Sequence, residues 1–458
     1  MKKIVTLFTV FILLSTIGHY TVGSTNNTSD ENTIADIAKN DASYHLIENV
    51  PIIGQDTRFY CTMSSLTMIL NYFGFNLTKY EVFYLMGGGF SLFYISERYL
   101  KPYSSIGCGF RASNYEFVGS LFNLTIQPFR IDLQASEETE ISNKLWNTIK
   151  ENVSNDQPVL VNLDGLLLYV DNKLIKLPSF FWSNVPIKAD HAVVVVGYDE
   201  RNNSICYNDP QYSVFGEEND GAYIWIEADL FIEAFLRFNR FSPYFPSSYL
   251  VISYERPEKI SYELEEVIDQ GFQRNMKRLQ GDVSYYYSDI DSPGGYDPLV
   301  NYTYGVNASK ELQRIFGADL QTQLLTIFLY RISGKLGIKN TLFSSIEKIF
   351  VDRFEKDISL VFDLAVPGYR NIYRSIAEEK EIAAASLRNF SSVSIIYQQC
   401  SELLQEESVL WFKIADYNRM FLNKGVFITI PKGLSLLDEM SRVMGDIIEI
   451  QEEILSLA

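Results

Sequence analysis

Three groups of residues have types and an order that suit nucleophilic chemistry. Cys61 lies at the predicted start of an amphipathic helix in GQDTRFYCTMSSLTMILNYFG, six residues after Gln55. His191 begins a run of valines, and Asp209, or its neighbour Asn208, follows the next β-rich segment. The thiolate is the nucleophilic form of cysteine, and both a helix N-terminus and a nearby imidazole favour it. A carboxylate or an amide can then hold the imidazole in one tautomer.

A thiolate that attacks a carbonyl carbon also needs hydrogen-bond donors for the oxyanion that forms. The backbone N–H of Cys61 and the side-chain amide of Gln55 are the predicted pair. The alternative is structural: a lone helical cysteine is usually a small buried residue, and Asn-Asp-Pro usually forms a turn. The order Cys61, His191, Asp209, together with the glutamine, favours catalysis.

The chain has three histidines, which limits the choice of a base. His19 lies in the apolar N-terminal segment, and His45 lies in a segment without a strand pattern. His191 is therefore the candidate base. Asp190 competes with Asp209 for its ring, but neighbours on a strand point to opposite faces, so Asp209 is preferred.

The cysteine segment has an apolar face at helical spacing and an end signal at Gly74. The face consists of Leu66, Ile69, Leu70 and Phe73. A second helix is predicted next, with Thr78 as N-cap and Glu81 completing a capping box. The glycine triplet 87–89 then indicates a tight turn, with a ligand-facing loop as the alternative.

After residue 157, β-branched runs dominate the sequence. PVLVNLDG, HAVVVVGYDE and SICYNDP predict strands, and GYDERNNS predicts a hairpin connection between the last two. His191 and Asp209 would then lie on adjacent strands, with the Cys61 helix packed across the sheet. IEADLFIEAFLRF predicts a further helix, and YLVISYERP predicts a further strand.

From residue 257 on, long segments combine helical periodicity with interspersed charge. The predicted helices there are 262–279, 310–332, 344–365, 369–390 and 435–457, with a loop at DSPGGYDP. The predicted organisation is a signal segment 1–24, a flexible leader 25–43, a catalytic domain 44–256 and an all-helical domain 257–458. The predicted fold class is α+β, with the cysteine helix on an antiparallel sheet.

The chain of 458 residues is long enough for two or three domains, and it carries a formal net charge of −18. A chain this acidic is not expected to bind nucleic acid or anionic membrane surfaces, and the charge serves solubility. The predicted partner is a peptide or acyl-amide substrate. No oligomeric state is predicted.

The N-terminus has the layout of a secretory signal peptide. Lys2 and Lys3 precede an apolar run at 4–18, and small residues follow it. The run is shorter than the roughly 20 apolar residues that span a bilayer core, so an uncleaved anchor is the alternative. We therefore expect a secreted or extracytoplasmic protein, with a membrane tether at its N-terminus if the signal is retained.

The four cysteines are Cys61, Cys108, Cys206 and Cys400. Because no C-x-x-C spacing occurs, neither a zinc site nor a redox motif is predicted, and no metal or organic cofactor is expected. An oxidising compartment allows a disulfide such as Cys108 with Cys206. A reactive Cys61 would stay unpaired.

PIIGQDTRFYCTMSSLTMILNYFG together with DHAVVVVGYDERNNSICYNDP resembles the C39-like branch of papain-like cysteine peptidases. In that family a glutamine precedes the cysteine by six residues, the histidine begins a valine-rich strand, and the third member falls in a D-P turn. The resemblance implies a papain-like fold, with Gln55 in the oxyanion hole, Cys61 as nucleophile, His191 as base and Asp209 orienting it. It also implies amide hydrolysis through a thioester acyl-enzyme.

The cysteine helix, short acidic helix and glycine triplet are also similar to the N-terminal domain of butirosin biosynthesis protein H. The following helical segment resembles the domain next to it there. This implies, as an alternative, an acyltransferase that moves an acyl group from a carrier-protein thioester to an amine. Because such thioesters belong to the cytoplasm, the predicted export favours hydrolysis. A catalytically silent binding module on the same fold is the third hypothesis.

Overall fold

The computed structural model describes the chain between Ser43 and Ala458 with several gaps, and this part forms one compact unit. The described residues are 43–55, 60–90, 92–97, 104–107, 112–128, 138–165, 167–168, 190–211, 221–240, 251–257, 259–282, 300–322, 325, 372–423 and 430–458. The predicted signal segment, the leader up to residue 42, the loop DSPGGYDP and the predicted helix 344–365 lie outside them.

The described residues form two antiparallel sheets accompanied by many helices, which confirms the α+β class. The strands are β1 (Tyr44–Leu46), β2 (Phe93–Glu97), β3 (Ser104–Gly107), β4 (Thr125–Pro128), β5 (Val159–Asp164), β6 (Asp190–Asp199), β7 (Ser204–Asn208), β8 (Ile224–Glu227), β9 (Val251–Glu255) and β10 (Val300–Tyr304). The main sheet has the order β4-β9-β5-β6-β7-β8, with β1 paired to β6. β6 and β7 form the predicted hairpin, in which Asp199 lies opposite Ser204.

The helices include the two predicted around the cysteine and those predicted at 262–279, 369–390 and 435–457, whereas the predicted helix 310–332 is described only in part. They are α1 (Cys61–Tyr72), α2 (Lys79–Leu85), α3 (Ala112–Leu121), α4 (Glu138–Ser154), α5 (Ala228–Arg240), α6 (Leu264–Gln280), α7 (Val306–Arg314), α8 (Ile372–Asn389), α9 (Ile395–Asn423) and α10 (Ile430–Ser456). One π-helical segment, Ile315–Asp319, continues α7. Within the part of the chain that the structure covers, no helix is both long and apolar enough to span a membrane.

Helix α1 is buried on nearly all sides. The predicted face is buried, and so are the residues between its members, because α1 contacts β5 and β6 as well as α2. Ser65 links α1 to the sheet, because its hydroxyl group donates a hydrogen bond to the Ala192 carbonyl oxygen at 3.1 Å. The helix ends as predicted, with Gly74 in the left-handed region at φ +98°.

Helix α2 and the glycine triplet also follow the sequence. Thr78 and Glu81 form the predicted capping box. The triplet is a buried turn, with Gly87 and Gly89 at positive φ, and a Cβ on Gly89 would collide with Ala383 of α8. The glycines therefore permit a tight turn and a close approach to a later helix.

The helices after residue 257 pack against the elements that precede them and share a hydrophobic core with them. Hydrogen bonds cross between these parts, among them those that Asn275 donates to the Tyr84 carbonyl oxygen and Ser386 donates to the Tyr80 carbonyl oxygen, each at 3.0 Å. The predicted boundary near residue 257 stays a prediction.

Two features differ from the sequence-based prediction. The region after residue 257 is not all-helical, because β10 pairs with β2 in the smaller sheet β10-β2-β3. Helix α9 was not predicted either. Its buried positions include the polar residues Ser401, Glu407, Ser408 and Asn418, which interrupt the apolar periodicity that normally reveals a helix.

Candidate active site

Cys61 is the first residue of α1, at the positive end of the helix. The N-cap residue, Tyr60, makes no side-chain capping hydrogen bond, and the first turn contains no acidic residue. No carboxylate of this first turn offsets the N-terminal partial charge of the helix, which favours a negative charge at this position. Cys61 forms no disulfide, and the residue is 7% exposed.

His191 lies on β6, the strand to which α1 is fastened. Its cross-strand partner is Leu163 on β5. Gly165, just after β5, passes so close to the ring that an added Cβ would lie 2.9 Å from the His191 Cβ. A side chain at residue 165 would therefore push the imidazole from its place.

Asp209 follows β7 and reaches the imidazole. Its Oδ1 lies 2.8 Å from Nε2 of His191, with both side chains almost fully buried. The carboxylate also accepts a hydrogen bond from the backbone N–H of Gln211, and the Asp209 N–H donates to the Gly221 carbonyl oxygen. The carboxylate is thus held by its own loop in a position to orient the ring.

The alternative residue, Asn208, points elsewhere. Its amide nitrogen donates to the Val50 carbonyl oxygen at 3.3 Å, and its oxygen accepts from the Tyr223 backbone N–H at 2.8 Å. Asn208 therefore joins the segments that surround the sheet, and Asp209 is the residue at the imidazole.

The Cys61 side chain hydrogen-bonds with the His191 ring. Burial by itself would lower the pKa of His191, but the charge of Asp209 and the hydrogen bonds to Asp209 and Cys61 raise the pKa to about 10. These interactions favour the protonated imidazole at neutral pH.

We expect ¹⁵N NMR of the imidazole rings to show His191 doubly protonated through neutral pH and titrating near pH 10. Because the pKa of His191 in the folded protein lies above the ordinary value of 6.5, this protonation stabilises the fold fully below pH 6.5, and its contribution is lost as the pH rises to about 10. Asp209→Asn removes the charge and should move the midpoint toward 6.5. Because the chain has three histidines, the His191 signal is assigned as the one that disappears from the spectrum of His191→Gln. A midpoint near or below 6.5 in the wild type would contradict this electrostatic account.

Gln55 lies beside the loop that carries Asp209. Its backbone N–H donates to the Pro210 carbonyl oxygen at 2.8 Å, and the residue is 2% exposed. Residues 56–59, between Gln55 and the cap of α1, lie outside the described residues. The structure thus brings together the Cys61 side chain, the imidazole and the carboxylate, and it places the backbone of Gln55 beside the loop that carries the carboxylate.

His45 does not join this group. His45 lies on β1, a strand that the sequence pattern did not predict, and its Nε2 lies 2.8 Å from Oδ1 of Asp156 at the surface. Asp190 is described only through its backbone, which lies opposite Asp164 in the sheet.

The other described cysteines are buried free thiols. Cys206 is unpaired, so the disulfide with Cys108 that the sequence allowed is not formed, and Cys108 itself lies outside the described residues. Burial raises the pKa of Cys206 well above its ordinary value and that of Cys400 to about 12. Neither thiol should therefore react readily near neutral pH.

Sequence reasoning missed two residues close to the site, Gly165 and Tyr115. Gly165 ends VNLDG directly after β5, and a glycine that closes a strand pattern was a usable signal of a close backbone approach. Tyr115 of α3 is fully buried near Cys61 and Thr62, and burial raises the pKa of its phenol. No motif surrounds Tyr115, so nothing local indicated it.

Within the described ranges, no group of three or more His, Cys, Asp or Glu side chains could hold a metal ion. The expectation that the chemistry needs no cofactor stays a prediction.

Residues 47–240 match the sequence model of the Peptidase_C39 like family. The matched segment contains Gln55, Cys61, His191 and Asp209. The match supports a relation of this segment to the C39-like cysteine peptidases. The helices after residue 240 lie outside it, and no curated protein matches the chain.

Proposed function

We propose that the protein is a papain-like cysteine enzyme that hydrolyses an amide bond in a peptide or peptide-like substrate. One observation carries this proposal: an unpaired thiol at a helix N-terminus hydrogen-bonds to a buried imidazole that a carboxylate holds at 2.8 Å. The family match is independent support for peptidase-like chemistry.

In the first step, the Cys61 thiolate attacks the carbonyl carbon and forms a C–S bond. The resulting oxyanion accepts hydrogen bonds from the Cys61 backbone N–H and the Gln55 side-chain amide. The His191 imidazolium donates its proton to the amine as the C–N bond breaks, leaving a thioester. Asp209 holds the ring in place during this transfer.

In the second step, water attacks the thioester carbonyl and transfers a proton to His191. The C–S bond breaks, the carboxylic acid leaves, and the imidazolium–thiolate pair is restored. If an amine replaces water here, the same site performs the acyl transfer of the butirosin biosynthesis protein H type.

We further propose that the protein works outside the cytoplasm. The support is the lysine-flanked apolar segment at its N-terminus. Cell fractionation of the tagged chain tests this, and recovery of the full-length protein in the cytoplasmic fraction would contradict it.

Iodoacetamide should alkylate Cys61 selectively at about pH 6, at least about 10-fold faster than in His191→Gln, because an ordinary thiol is then almost fully protonated. The labelled cysteine is identified by peptide mass spectrometry. His45→Gln is the matched control, since His45 pairs with a carboxylate at the same 2.8 Å distance on the surface.

Equal rates in the wild type and in His191→Gln, or labelling confined to Cys206 and Cys400, would overturn the proposal in favour of a silent module. Acyl transfer is tested on the acyl-enzyme made with p-nitrophenyl acetate. Release of the acyl group that is unchanged by added glycinamide favours hydrolysis over transfer.

A further inference from the structure

Lys79 reaches the segment that carries Gln55. Lys79 is the first residue of α2, and its ammonium donates a hydrogen bond to the Gly54 carbonyl oxygen at 2.8 Å. The Ser64 hydroxyl of α1 approaches the same oxygen at 3.5 Å. A hydrogen bond with a charged donor is roughly twice as strong as one between neutral groups, so Lys79 is the stronger anchor.

The peptide group between Gly54 and Gln55 is thereby held on both sides. Its carbonyl oxygen accepts from Lys79, and its N–H donates to the Pro210 carbonyl oxygen at 2.8 Å. Since a peptide group is planar, two bonds in opposite directions fix its orientation. That orientation sets the direction in which the Gln55 side chain leaves the backbone.

Lys79 is itself held in place at its backbone. The preceding residue, Thr78, caps α2, with the Glu81 carboxylate accepting from the Thr78 N–H at 2.6 Å. The Glu81 N–H donates back to the Thr78 hydroxyl at 3.2 Å. The capping box thus defines where α2 begins and where the lysine side chain starts.

We propose that Lys79 is a positioning residue that holds Gln55 where its side-chain amide can donate to the oxyanion. The proposal rests on the proposed function, in which Gln55 supplies one of the two oxyanion donors. Lys79 acts through the Gly54 carbonyl group and does not touch the reacting atoms.

Two reactions of Cys61 separate this role from a general effect on the thiol. Acylation by p-nitrophenyl acetate forms a C–S bond and expels p-nitrophenolate through a tetrahedral oxyanion. Alkylation by iodoacetamide forms a C–S bond and expels iodide without an oxyanion. A residue that positions an oxyanion donor should therefore affect acylation and leave alkylation unchanged.

Lys79→Met should slow acylation about 10-fold or more, because a small displacement of an oxyanion donor is costly. Alkylation should change by less than about 2-fold. Lys79→Arg keeps a cationic donor and should retain more acylation than Lys79→Met. Lys310→Met is the matched control, since Lys310 pairs with Glu452 at 2.8 Å in the helical part.

The decisive measurement is Lys79→Met in a Gln55→Ala background. If Lys79 acts through Gln55, the lysine substitution should slow acylation no further once the amide is gone. An equal loss in both backgrounds, or a parallel loss of alkylation, would overturn the role of Lys79. If Gln55→Ala slows acylation and Lys79→Met does not, the role of Lys79 fails while the proposed function stands. If the wild type is not acylated at Cys61, both fail.

Discussion

Asp209→Ala is expected to slow acylation of Cys61 by p-nitrophenyl acetate by about 10⁴-fold, the magnitude known for the orienting acid of a catalytic triad. The carboxylate contributes an orienting hydrogen bond to Nε2 of His191, and its charge raises the pKa of the imidazole. Alanine removes both contributions. The imidazole then loses its orientation and no longer favours the ion pair with the thiolate.

Asp209→Asn separates the two contributions, because the amide oxygen can still accept from Nε2 while the charge is lost. Its acylation rate should lie between those of the wild type and Asp209→Ala. Asp156→Asn is the matched control, since Asp156 holds His45 at the same 2.8 Å distance, and its φ of 56° suits asparagine. If Asp209→Ala reacted as fast as this control, the proposed role of Asp209 would be wrong.

Arg237→Met should lower the free energy of unfolding by about 3–5 kcal/mol, the usual result of breaking one side of a buried ion pair. Nε of Arg237, on α5, lies 3.0 Å from Oδ2 of Asp164 at the end of β5, and both side chains are almost completely buried. Methionine leaves the Asp164 carboxylate in the interior without this cation. Because Gly165 follows directly and leaves no room for a side chain beside His191, alkylation of Cys61 should also slow.

Urea denaturation measures this loss. Adding Asp164→Leu should restore much of the stability, since an apolar pair of similar volume often replaces a buried ion pair at little cost. The control is Arg201→Met. Arg201 is half-exposed, so its ion pair with Asp199 should contribute less than about 1 kcal/mol to the free energy of unfolding. An Arg237→Met variant as stable as Arg201→Met would refute the assigned importance of the buried pair.

The elements nearest the proposed chemistry were predictable because their signals are local. The cysteine helix follows from apolar spacing over 12 residues, and its end follows from Gly74. The β6–β7 hairpin follows from a valine run and a short polar connection. Each of the two signals lies within one short, continuous segment of the chain.

Elements that depend on distant partners were missed. Strand β2 is short and pairs with β10, which lies far along the chain, so neither sequence alone indicates the sheet. Helix α9 escaped prediction for another reason. Its buried Glu407 accepts hydrogen bonds from Trp411 and Gln451 and forms an ion pair with Lys380 at 2.8 Å. A charged residue therefore occupies a position at which the helical pattern predicts an apolar one.

The sequence by itself determined which groups can react, since the identity of a thiol, an imidazole and a carboxylate is written in the chain, and their order matched a known arrangement. Only the tertiary structure decided that Asp209 rather than Asn208 meets the ring, and that Lys79 holds the Gln55 segment. The reason is physical: hydrogen bonds between distant residues depend on how helices and sheets pack, and packing joins parts of the chain that no local pattern connects.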